Sequence, residues 1–526
     1  WPSRLIFSSS KLFTRKGKRH PLPPMPELAP GYDPAQVEDR LYSQWVNRGD
    51  YRADPASPKP AYSIVIPPPN VTGILTLGHV LNNTIQDILA RRARLLGMEV
   101  LWLPGTDHAG IATQTVVERT LKKDGKIRHR DDLGREVFLQ EIWQWKEKHG
   151  GIIIQQLKKL GASCDWSRER FTMDPAYSAC VQKVFVDLFH KKLIYRGRRM
   201  VNWCPVSRTA LSDEEVIMKE QKGLLYHFRV PVAGAKAQFL TIATTRPETI
   251  PGDTAIAVNP KDPRYSSLIG QFALRPLPPE LPQEQRRIPI VGDEQVDMTF
   301  GTGVLKVTPA HDPADFAIAQ RHQLPSLEVI DESGLMNKEA GTVLAGLDRS
   351  KARPAAVEQL RELGLLEKEE PYVNQVGYSE RADVPVEPRL SEQWFLRYPS
   401  TEQSQTIVSS GKLRFYPDRW TKVYQHWMEN LQDWCISRQL WWGHRIPVWY
   451  RGEETRCQIE SPGDGWTQDP DVLDTWFSSW LWPFATMGWP EKTAELKKFY
   501  PTTDLVTGPD IIFFWVARMM MAGFEF

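Results

Sequence analysis

The chain has 526 residues, 41% hydrophobic and 25% charged, which is an ordinary globular composition, and its length suggests about three or four domains. Its 66 basic and 64 acidic side chains leave a formal charge of +2, so the overall balance neither requires nor excludes a nucleic-acid partner. The 5 cysteines are widely spaced and form no CxxC pair, which argues against disulfides and structural zinc and favours a reducing compartment. The longest apolar run, residues 511–521, is too short to cross a bilayer and contains Arg518, so it predicts a buried helix and no membrane segment.

The first 24 residues differ in composition from the rest of the chain. Residues 1–24 are rich in lysine and arginine, contain no acidic residue and include a run of serines, and we expect them to be disordered. Two explanations fit: a mitochondrial or plastid transit peptide, or sequence upstream of a true start at Met25. The second explanation goes with a cytoplasmic protein, which is our expectation. Residues 25–60 are predicted to form an N-terminal helical segment.

A βαβ unit is predicted next. Short apolar runs at residues 62–66 and 100–103 flank a stretch whose apolar residues recur every three or four positions. These are Leu77, Leu81, Ile85, Ile88 and Leu89. The order predicts an α/β fold with a doubly wound parallel sheet, whose first loop feeds the N-terminus of a helix near Leu77. Free backbone N–H groups and the helix dipole favour phosphate at such a place.

The amino-acid pattern changes between about residues 223 and 371. Short β-rich runs, many prolines and a Gly-Thr-Gly turn at 301–303 indicate an inserted β-rich (α+β) domain. We therefore predict that residues 61–222 and 372–526 form two halves of one catalytic domain.

Residues 67–79, with the sequence PPPNVTGILTLGH, carry the most specific signal. This run resembles the HIGH motif region of the class I aminoacyl-tRNA synthetases, and its PPPNVTG form is typical of the valyl enzymes. Further resemblances lie at residues 105–114, 436–444, 474–479 and 507–510, so the likeness extends from about Gly31 to Phe526. It implies a Rossmann-like catalytic domain that is split by an editing domain.

The resemblance implies roles for residues of the catalytic domain. Thr76 and His79 would act in catalysis, and Thr76, Gly78, His79, Gly508 and Asp510 would bind ATP. Pro68, Asn70, Asp107, Trp442 and Trp476 would form the amino-acid pocket. Asp107 would hold the ammonium group, since a carboxylate is the natural partner of a buried ammonium. The family has histidine where this chain has Thr76, so we expect weaker stabilisation of the transition state.

A second pocket is expected in the inserted domain. Valyl enzymes are themselves the standard example of an apolar pocket that only weakly rejects threonine, the isostere that adds a hydroxyl. The runs at 244–249, 252–254 and 301–315 resemble the editing domain of the valyl, isoleucyl and leucyl enzymes. By that resemblance Thr244 and Arg246 would hold the tRNA terminus, and Phe300 would line the pocket. Lys306, Thr308, Asp312 and Asp315 would read the threonyl group, with the roles of the two aspartates left open.

The resemblance also implies substrates and partners. We expect ATP with Mg²⁺, valine and tRNA(Val), a monomer and no zinc. A KMSKS loop does not follow residue 510 in this sequence, so we expect weak valine activation by these residues alone. The alternatives are an isoleucyl enzyme, a non-catalytic paralogue that binds tRNA or another partner, and a free-standing deacylase.

Overall fold

The computed structural model describes residues 31–234 and 238–526. It divides into two units, the first ending at Asp50 and the second beginning at Tyr51. The prediction for residues 1–24 and the beginning of the predicted helical segment 25–60 lie outside the described residues. Within the described ranges, no helix is long and apolar enough to cross a membrane.

The unit that ends at Asp50 contains helix α1 (Pro34–Arg48). Local signals set both ends of this helix. The Asp33 carboxylate accepts a hydrogen bond from the backbone N–H of Ala35 at 3.0 Å and so caps the first turn. Gly49 ends the helix with φ 76°, in the left-handed region that glycine adopts at little cost. A helix therefore lies inside the segment that was predicted to be helical.

The second unit opens with the predicted βαβ order. Strand β1 (Ala61–Val65), helix α2 (Leu77–Leu95) and strand β2 (Glu99–Leu103) follow one another. The two strands pair in parallel, with Ala61 opposite Glu99. This confirms the predicted unit, and the connection from β1 delivers the chain to the N-terminus of α2.

The face of α2 that packs against the sheet is the opposite of the one the apolar spacing suggests. The Leu77 and Leu81 side chains are 86% and 65% exposed. The buried residues are Asn83, Gln86, Ala90 and Ala93. The alanines let the helix approach the strands closely, and the Gln86 amide oxygen accepts a hydrogen bond from the Trp102 indole at 2.9 Å. The spacing correctly predicted the helix, but it does not show which face of the helix is buried.

Helices and short strands complete the first part of the unit. They are β3 (Gly105–Thr106), α3 (Gly110–Lys123), α4 (Gly134–Lys159), β4 (Arg170–Phe171), α5 (Pro175–His190), β5 (Ile194–Cys204) and β6 (Thr209–Leu211). Strands β3 and β4 pair in parallel, and β5 and β6 pair antiparallel. The parallel strands of this part are thus assigned as two short pairs, β1 with β2 and β3 with β4.

The middle of the chain is rich in strands, as predicted. Its elements are β7 (Val216–Pro231), β8 (Phe239–Thr244), β9 (Ala255–Val258), β10 (Phe272–Leu274), α6 (Gln283–Arg286), β11 (Arg287–Gly292), β12 (Val304–Val307), α7 (Pro313–His322), α8 (Arg349–Glu362) and β13 (Leu366–Ser379). One sheet has the order β10-β11-β9-β12 and another the order β13-β7-β8. Strands β7 and β13 form a long antiparallel ribbon that joins this region to its neighbours.

The last part of the chain, from residue 387 onward, packs against the first part. Its elements are β14 (Glu387–Leu396), α9 (Thr401–Ser409), α10 (Arg419–Glu429), β15 (Trp434–Cys435), β16 (Ser437–Arg438), β17 (Val448–Arg451), β18 (Glu454–Cys457), β19 (Thr467–Gln468), β20 (Val472–Leu473), α11 (Thr475–Ser479), α12 (Trp482–Ala485), α13 (Ala494–Phe499) and α14 (Arg518–Glu525). Strand β14 pairs with β5 along its whole length. The predicted helix at 511–521 is buried in large part, but residues Ile512–Ala517 are wound as a π-helix before α14 begins.

The cores follow the same division. One hydrophobic cluster combines Ile64 and Trp102 of the first part with Trp434 and Trp480 of the last. A second cluster is built from residues between 228 and 366. The predicted α/β architecture is confirmed. The domain boundaries at 222/223 and 371/372 stay a prediction, because β7 and β13 run through both positions.

Candidate functional site

The first turn of α2 is closed by a contact between Thr76 and His79. The Thr76 backbone N–H donates to His79 Nδ1 at 3.1 Å, and the Thr76 hydroxyl lies 2.8 Å from the same nitrogen. Burial lowers the pKa of His79, so its ring is neutral at pH 7. Because Nδ1 accepts, the ring proton resides on Nε2. His79 thus retains one N–H donor, while the Thr76 hydroxyl is engaged within the loop.

Two neighbouring segments hold the loop that leads into α2. The Asp107 backbone N–H donates to Pro69 O at 2.9 Å, and the Val71 N–H donates to Asp107 O at 3.1 Å. On the other side, helix α4 supplies the Trp145 indole, which donates to Val71 O at 3.0 Å. The Leu75 N–H donates to the Gln156 side chain at 2.9 Å. The sequence interpretation did not identify Trp145 or Gln156, which lie far along the chain from the loop.

Asp107 is buried beside this loop, with 3% of its surface exposed. One carboxylate oxygen accepts from the Ala109 N–H at 2.7 Å, and the other accepts from the Ser479 hydroxyl. Burial raises the pKa of Asp107 to about 6. Among the described residues, the only ionisable nitrogen within ion-pair distance is His108 Nδ1 at 3.3 Å, and burial lowers the pKa of His108 to about 3. The carboxylate therefore lacks a cationic partner from these residues at neutral pH.

The other predicted pocket residues are linked to Asp107 directly or through its neighbours. Asn70 forms a parallel β-bridge with it, and Pro68 lies in the same loop. Trp442 is fully buried, and its indole donates to His108 O at 2.7 Å. Trp476 is partly exposed on α11, the short helix that also carries the Asp107 partner Ser479. Trp442 and Trp476 thus connect to the neighbours of Asp107, and their predicted role as walls of an amino-acid pocket stays a prediction.

The predicted ribose segment reaches α2. The Asn82 amide of α2 donates to Val506 O at 3.1 Å, two residues before Gly508. A Cβ on Gly508 would lie 2.2 Å from an Asp510 carboxylate oxygen, so only glycine lets that side chain turn back over the backbone. Asp510 is exposed. The structure thereby brings the predicted ribose segment to the same helix as His79.

A buried ion network lies at the start of α11. The Arg438 guanidinium contacts the Glu215 carboxylate at 3.1 Å and the Asp474 carboxylate at 3.2 Å, and it also donates to the Ser212 hydroxyl. Asp474 caps α11 by accepting from the Trp476 N–H at 3.3 Å. The network links the base of strand β7 to the helix that carries the pocket wall. The segments 436–444 and 474–479 were matched in the sequence, but no role was predicted for these charges.

A second polar cluster is buried in the middle region. The Lys306 ammonium donates to the Thr308 hydroxyl at 2.5 Å and to the Thr249 hydroxyl at 2.9 Å, and it lies 3.5 Å from the Asp253 carboxylate. Thr308 in turn donates to Asp253 at 2.6 Å. Lys306 and Thr308 were predicted here, whereas Thr249 and Asp253 were matched only as parts of motifs. Because Lys306 and Asp253 lie 53 positions apart, only the folded chain reveals their pairing.

The two predicted aspartates of this cluster occupy different environments. Asp315 is buried, accepts from the Thr308 N–H at 2.8 Å and has its pKa raised to about 7 by burial. Asp312 is exposed and caps α7 by accepting from the N–H groups of Ala314 and Asp315. The geometry therefore places Asp315 in the cluster and gives Asp312 the role of a helix cap.

Arg246 and Thr244 make contacts within the protein. The Arg246 guanidinium donates to both oxygens of Glu387 at 2.7 and 2.9 Å, and to Glu248 at 3.1 Å. Thr244 accepts from the Arg246 N–H at 3.1 Å. The donors that a tRNA terminus would need from Arg246 are thus engaged by buried carboxylates. Its predicted contact with tRNA stays a prediction.

Phe300 lies at the rim of the middle region. Its side chain is 55% exposed and meets the Tyr372 ring edge to face, with centroids 6.4 Å apart. It stands just before Gly301 and Gly303, whose φ values of 57° and 77° shape the turn. An exposed aromatic ring on a glycine turn can cover a ligand, and the predicted place of Phe300 in the pocket stays a prediction.

Comparisons with known proteins place the chain in context. The family described as tRNA synthetases class I (I, L, M and V) matches residues 40–462 and 452–526. The chain is 54% identical over 516 residues to the valine–tRNA ligase of Chlorobaculum tepidum, covering 94% of this chain and 56% of that protein. It is 54% identical over 510 residues to the valine–tRNA ligase of Geobacter sulfurreducens, covering 95% and 56%. The chain thus spans little more than half the length of these curated relatives.

A solved structure also resembles it. The LeuRS of a LeuRS–tRNA–LeuAMS ternary complex from Agrobacterium radiobacter K84 has a TM-score of 0.48 and 19% sequence identity, over 94% of this chain and 65% of that one.

Proposed function

Because the chain belongs to the class I tRNA synthetases and its curated relatives are valine–tRNA ligases, we propose that it acts in the ATP-dependent activation of valine and its attachment to tRNA(Val). The proposal includes hydrolytic editing of threonyl-tRNA(Val) by the middle region. It also includes a monomer that acts in the cytoplasm.

One observation carries the first part of the proposal. The Asp107 carboxylate is buried beside the loop that leads into α2. Among the described residues, the only ionisable nitrogen within ion-pair distance belongs to His108, which is neutral at pH 7. An α-ammonium group bound here would supply the missing positive charge and gain a charge-assisted hydrogen bond. The raised pKa of Asp107 falls again when such a cation binds, because an opposite charge favours the ionised form.

The geometry supports a reaction by alignment. A valine carboxylate oxygen attacks the α-phosphorus of ATP, and pyrophosphate leaves, which gives valyl adenylate. The neutral His79 ring can donate its Nε2–H to a phosphate oxygen, and the free N–H groups of the α2 N-terminus favour the growing negative charge. A ribose hydroxyl of the tRNA terminus then attacks the carbonyl carbon, and AMP leaves.

Magnesium enters this proposal as the ion that accompanies ATP and neutralises its phosphates. Within residues 31–234 and 238–526, no group of three His, Cys, Asp or Glu side chains could hold a metal by itself. The phosphate oxygens of ATP would therefore provide ligands of their own, and the chain would contribute few.

The buried Lys306 cluster supports the editing part of the proposal. Lys306, Thr308, Asp253 and Asp315 offer donors and acceptors in one enclosed place. A site built to hydrogen-bond a hydroxyl favours a threonyl group, because a valyl group there would leave buried polar atoms unpaired. Hydrolysis would then release threonine from the tRNA.

Binding and exchange measurements test the proposal against its alternatives. Titrating the chain with valine, isoleucine and threonine, followed by amino-acid-dependent pyrophosphate exchange, should show tightest binding of valine. The pocket should reject isoleucine by roughly 10-fold or more, because an extra methylene costs ~1–3 kcal/mol in a rigid apolar pocket. Preference for isoleucine would support an isoleucyl enzyme. Binding of tRNA without binding of any amino acid would support a non-catalytic paralogue and overturn the proposal.

A further inference from the structure

The Ser479 side chain holds one oxygen of the Asp107 carboxylate. It lies 372 positions from Asp107 in the sequence, and its hydroxyl donates to Asp107 Oδ2. The same hydroxyl oxygen lies 3.1 Å from Thr475 O, so the serine has a second acceptor within reach. Ser479 is almost fully buried. With Ala109 on the other oxygen, it sets the direction in which the carboxylate points.

The π-helix Ile512–Ala517 packs behind this arrangement. The Trp515 indole donates to Ser479 O at 2.8 Å. The Phe514 ring stacks on Trp476, with centroids 5.1 Å apart and planes 25° apart. Single π-helical turns place side chains in directions that a regular α-helix does not allow, and they recur at functional sites. Here two consecutive aromatic residues reach the two ends of α11.

We propose that Ser479 and Phe514 are positioning residues for amino-acid recognition, Ser479 by orienting the Asp107 carboxylate toward the ligand ammonium and Phe514 by fixing the Trp476 wall against the ligand side chain. The inference rests on the proposed function. Neither residue touches the ligand in this scheme. Each acts through a group that does.

The two roles predict different losses. Without the Ser479 hydroxyl, Asp107 loses a donor that favours its ionised form, so the ligand ammonium meets a weaker and less oriented partner. Without the Phe514 ring, Trp476 can turn, and the wall that limits ligand size loosens. Ser479 therefore governs affinity and its pH dependence, and Phe514 governs discrimination by size.

The chain offers a matched control for each residue. Ser478 precedes Ser479 on α11, is equally buried and donates to the same Thr475 carbonyl, at 2.7 Å. Phe513 precedes Phe514 on the π-helix and stacks on Trp427, also at 5.1 Å between centroids. Ser478→Ala and Phe513→Leu thus remove the same kinds of group from the same elements without touching the pocket.

Calorimetric titration of the full chain with valine between pH 5 and 8 tests the role of Ser479. Ser479→Ala should weaken valine binding by about tenfold at pH 7, because hydrogen bonds to charged groups are the strong ones. The acid-side fall in affinity should also begin at a higher pH than in the unaltered chain. Ser479→Thr keeps the hydroxyl and should retain both the valine affinity and its pH dependence. Ser478→Ala should match the unaltered chain.

Other titratable groups face Asp107, and they do not produce this shift. His108 and Tyr177 stay neutral across the range, since burial lowers the pKa of the first and raises that of the second. The Asp474 carboxylate is paired with Arg438 at 3.2 Å. A change in the acid limb of Ser479→Ala therefore reports on Asp107.

Size discrimination tests the role of Phe514. Phe514→Leu should reduce the ratio of valine to isoleucine affinity by about three- to tenfold, in line with the worth of an aromatic pair. Phe513→Leu should leave the ratio unchanged. The inference is overturned if the Ser479 and Ser478 variants behave alike, or the Phe514 and Phe513 variants do, while valine still binds the unaltered chain. If the unaltered chain binds no valine, the proposed function fails together with the inference.

Discussion

The predicted amino-acid pocket and the Lys306 cluster differ in how their buried charges are compensated. In the pocket, Asp107 is buried against hydroxyl and amide donors, with only neutral His108 as a possible ion partner among the described residues. In the cluster, the Lys306 ammonium lies 3.5 Å from the Asp253 carboxylate and donates to two threonines. In the described part of the chain, the Asp107 carboxylate has no cation beside it, whereas in the cluster Lys306 already offsets Asp253, and the second carboxylate, Asp315, has its pKa raised to about 7 by burial.

The difference teaches what each site can select. A pocket with an uncompensated carboxylate selects a ligand by its ammonium group. The shape of the pocket walls then limits the size of the ligand side chain. In the cluster, Lys306 already offsets Asp253, and the hydroxyls of Thr249 and Thr308 add donors and acceptors by which ligands can be distinguished. This contrast fits the proposed function, in which one site selects valine and the other removes threonine.

The largest effect should follow the loss of the pocket charge. Asp107→Asn keeps the shape of the side chain but leaves a bound ammonium without a counter-charge. We expect valine affinity to fall ~10²–10³-fold, because removing one partner of a buried charge pair costs ~2–5 kcal/mol. Calorimetry measures the loss, and deacylation of threonyl-tRNA in the same preparation should be unaffected. Valine affinity within threefold of the unaltered chain would break the comparison.

The next effect concerns the cluster. Lys306→Ala and Asp315→Ala should each slow deacylation of threonyl-tRNA ~10- to 100-fold, since each removes charge-assisted hydrogen bonds worth ~1.5–3 kcal/mol. Valine binding should stay intact. Loss of both activities would point to misfolding instead.

Asp312→Ala is the matched control for the cluster variants. It removes only a helix cap, which costs ~1 kcal/mol of stability, and deacylation should persist. Equal loss in the Asp312 and Asp315 variants would contradict the placement of Asp315 alone in the cluster.

A smaller effect should appear in stability. The pKa of Asp107 is about 6 in the folded chain against an ordinary value of 3.8, so the folded state binds this proton more tightly than the unfolded state does. Ionisation therefore costs stability as pH rises from about 4 to about 6. Asp107→Asn removes this cost, and its free energy of unfolding relative to the unaltered chain should rise by ~1–3 kcal/mol between pH 4 and 7. Urea unfolding at pH 4 and pH 7 measures the free energies of both proteins. A difference between them that does not change with pH would show that folding does not raise the pKa of Asp107.

The smallest effect is expected at the helix N-terminus. Thr76→His adds a ring N–H donor where the Thr76 hydroxyl is now engaged with His79. One further hydrogen bond to a phosphate in the transition state should raise the rate of pyrophosphate exchange about three- to tenfold. An unchanged or lower rate would show that the loop already compensates for threonine.

Local patterns account for what the sequence predicted well. The βαβ unit follows from periodicity and turn residues over some 40 positions, and the strands and α2 appear where these signals lie. The motif resemblance picked out Asn70, Asp107 and Trp442, which the structure links by a β-bridge and by a hydrogen bond to His108 O. That they form one amino-acid pocket with Trp476 stays a prediction. Such residues lie inside runs that are recognisable on their own.

What escaped prediction depends on contacts between distant segments. The apolar spacing of α2 could not tell which side the sheet covers, and small Ala90 and polar Gln86 face it. Ser479 meets Asp107 only in the folded chain, and the π-helical turn that aims Phe514 at Trp476 has no signature in local spacing. Tertiary packing decided each of these, and propensity does not encode it.

The ribbon of β7 and β13 has a mechanical consequence. It runs from the pair Val216 and Ser379 to the pair Phe228 and Leu366, which at ~3.3 Å per residue makes a lever arm of ~40 Å. A tilt of about 5° at its base would move its far end by roughly 3–4 Å, more than the length of a hydrogen bond. The base lies next to Glu215, which contacts the Arg438 guanidinium at 3.1 Å. One buried guanidinium is therefore placed where a small change of angle produces the largest displacement of the far end.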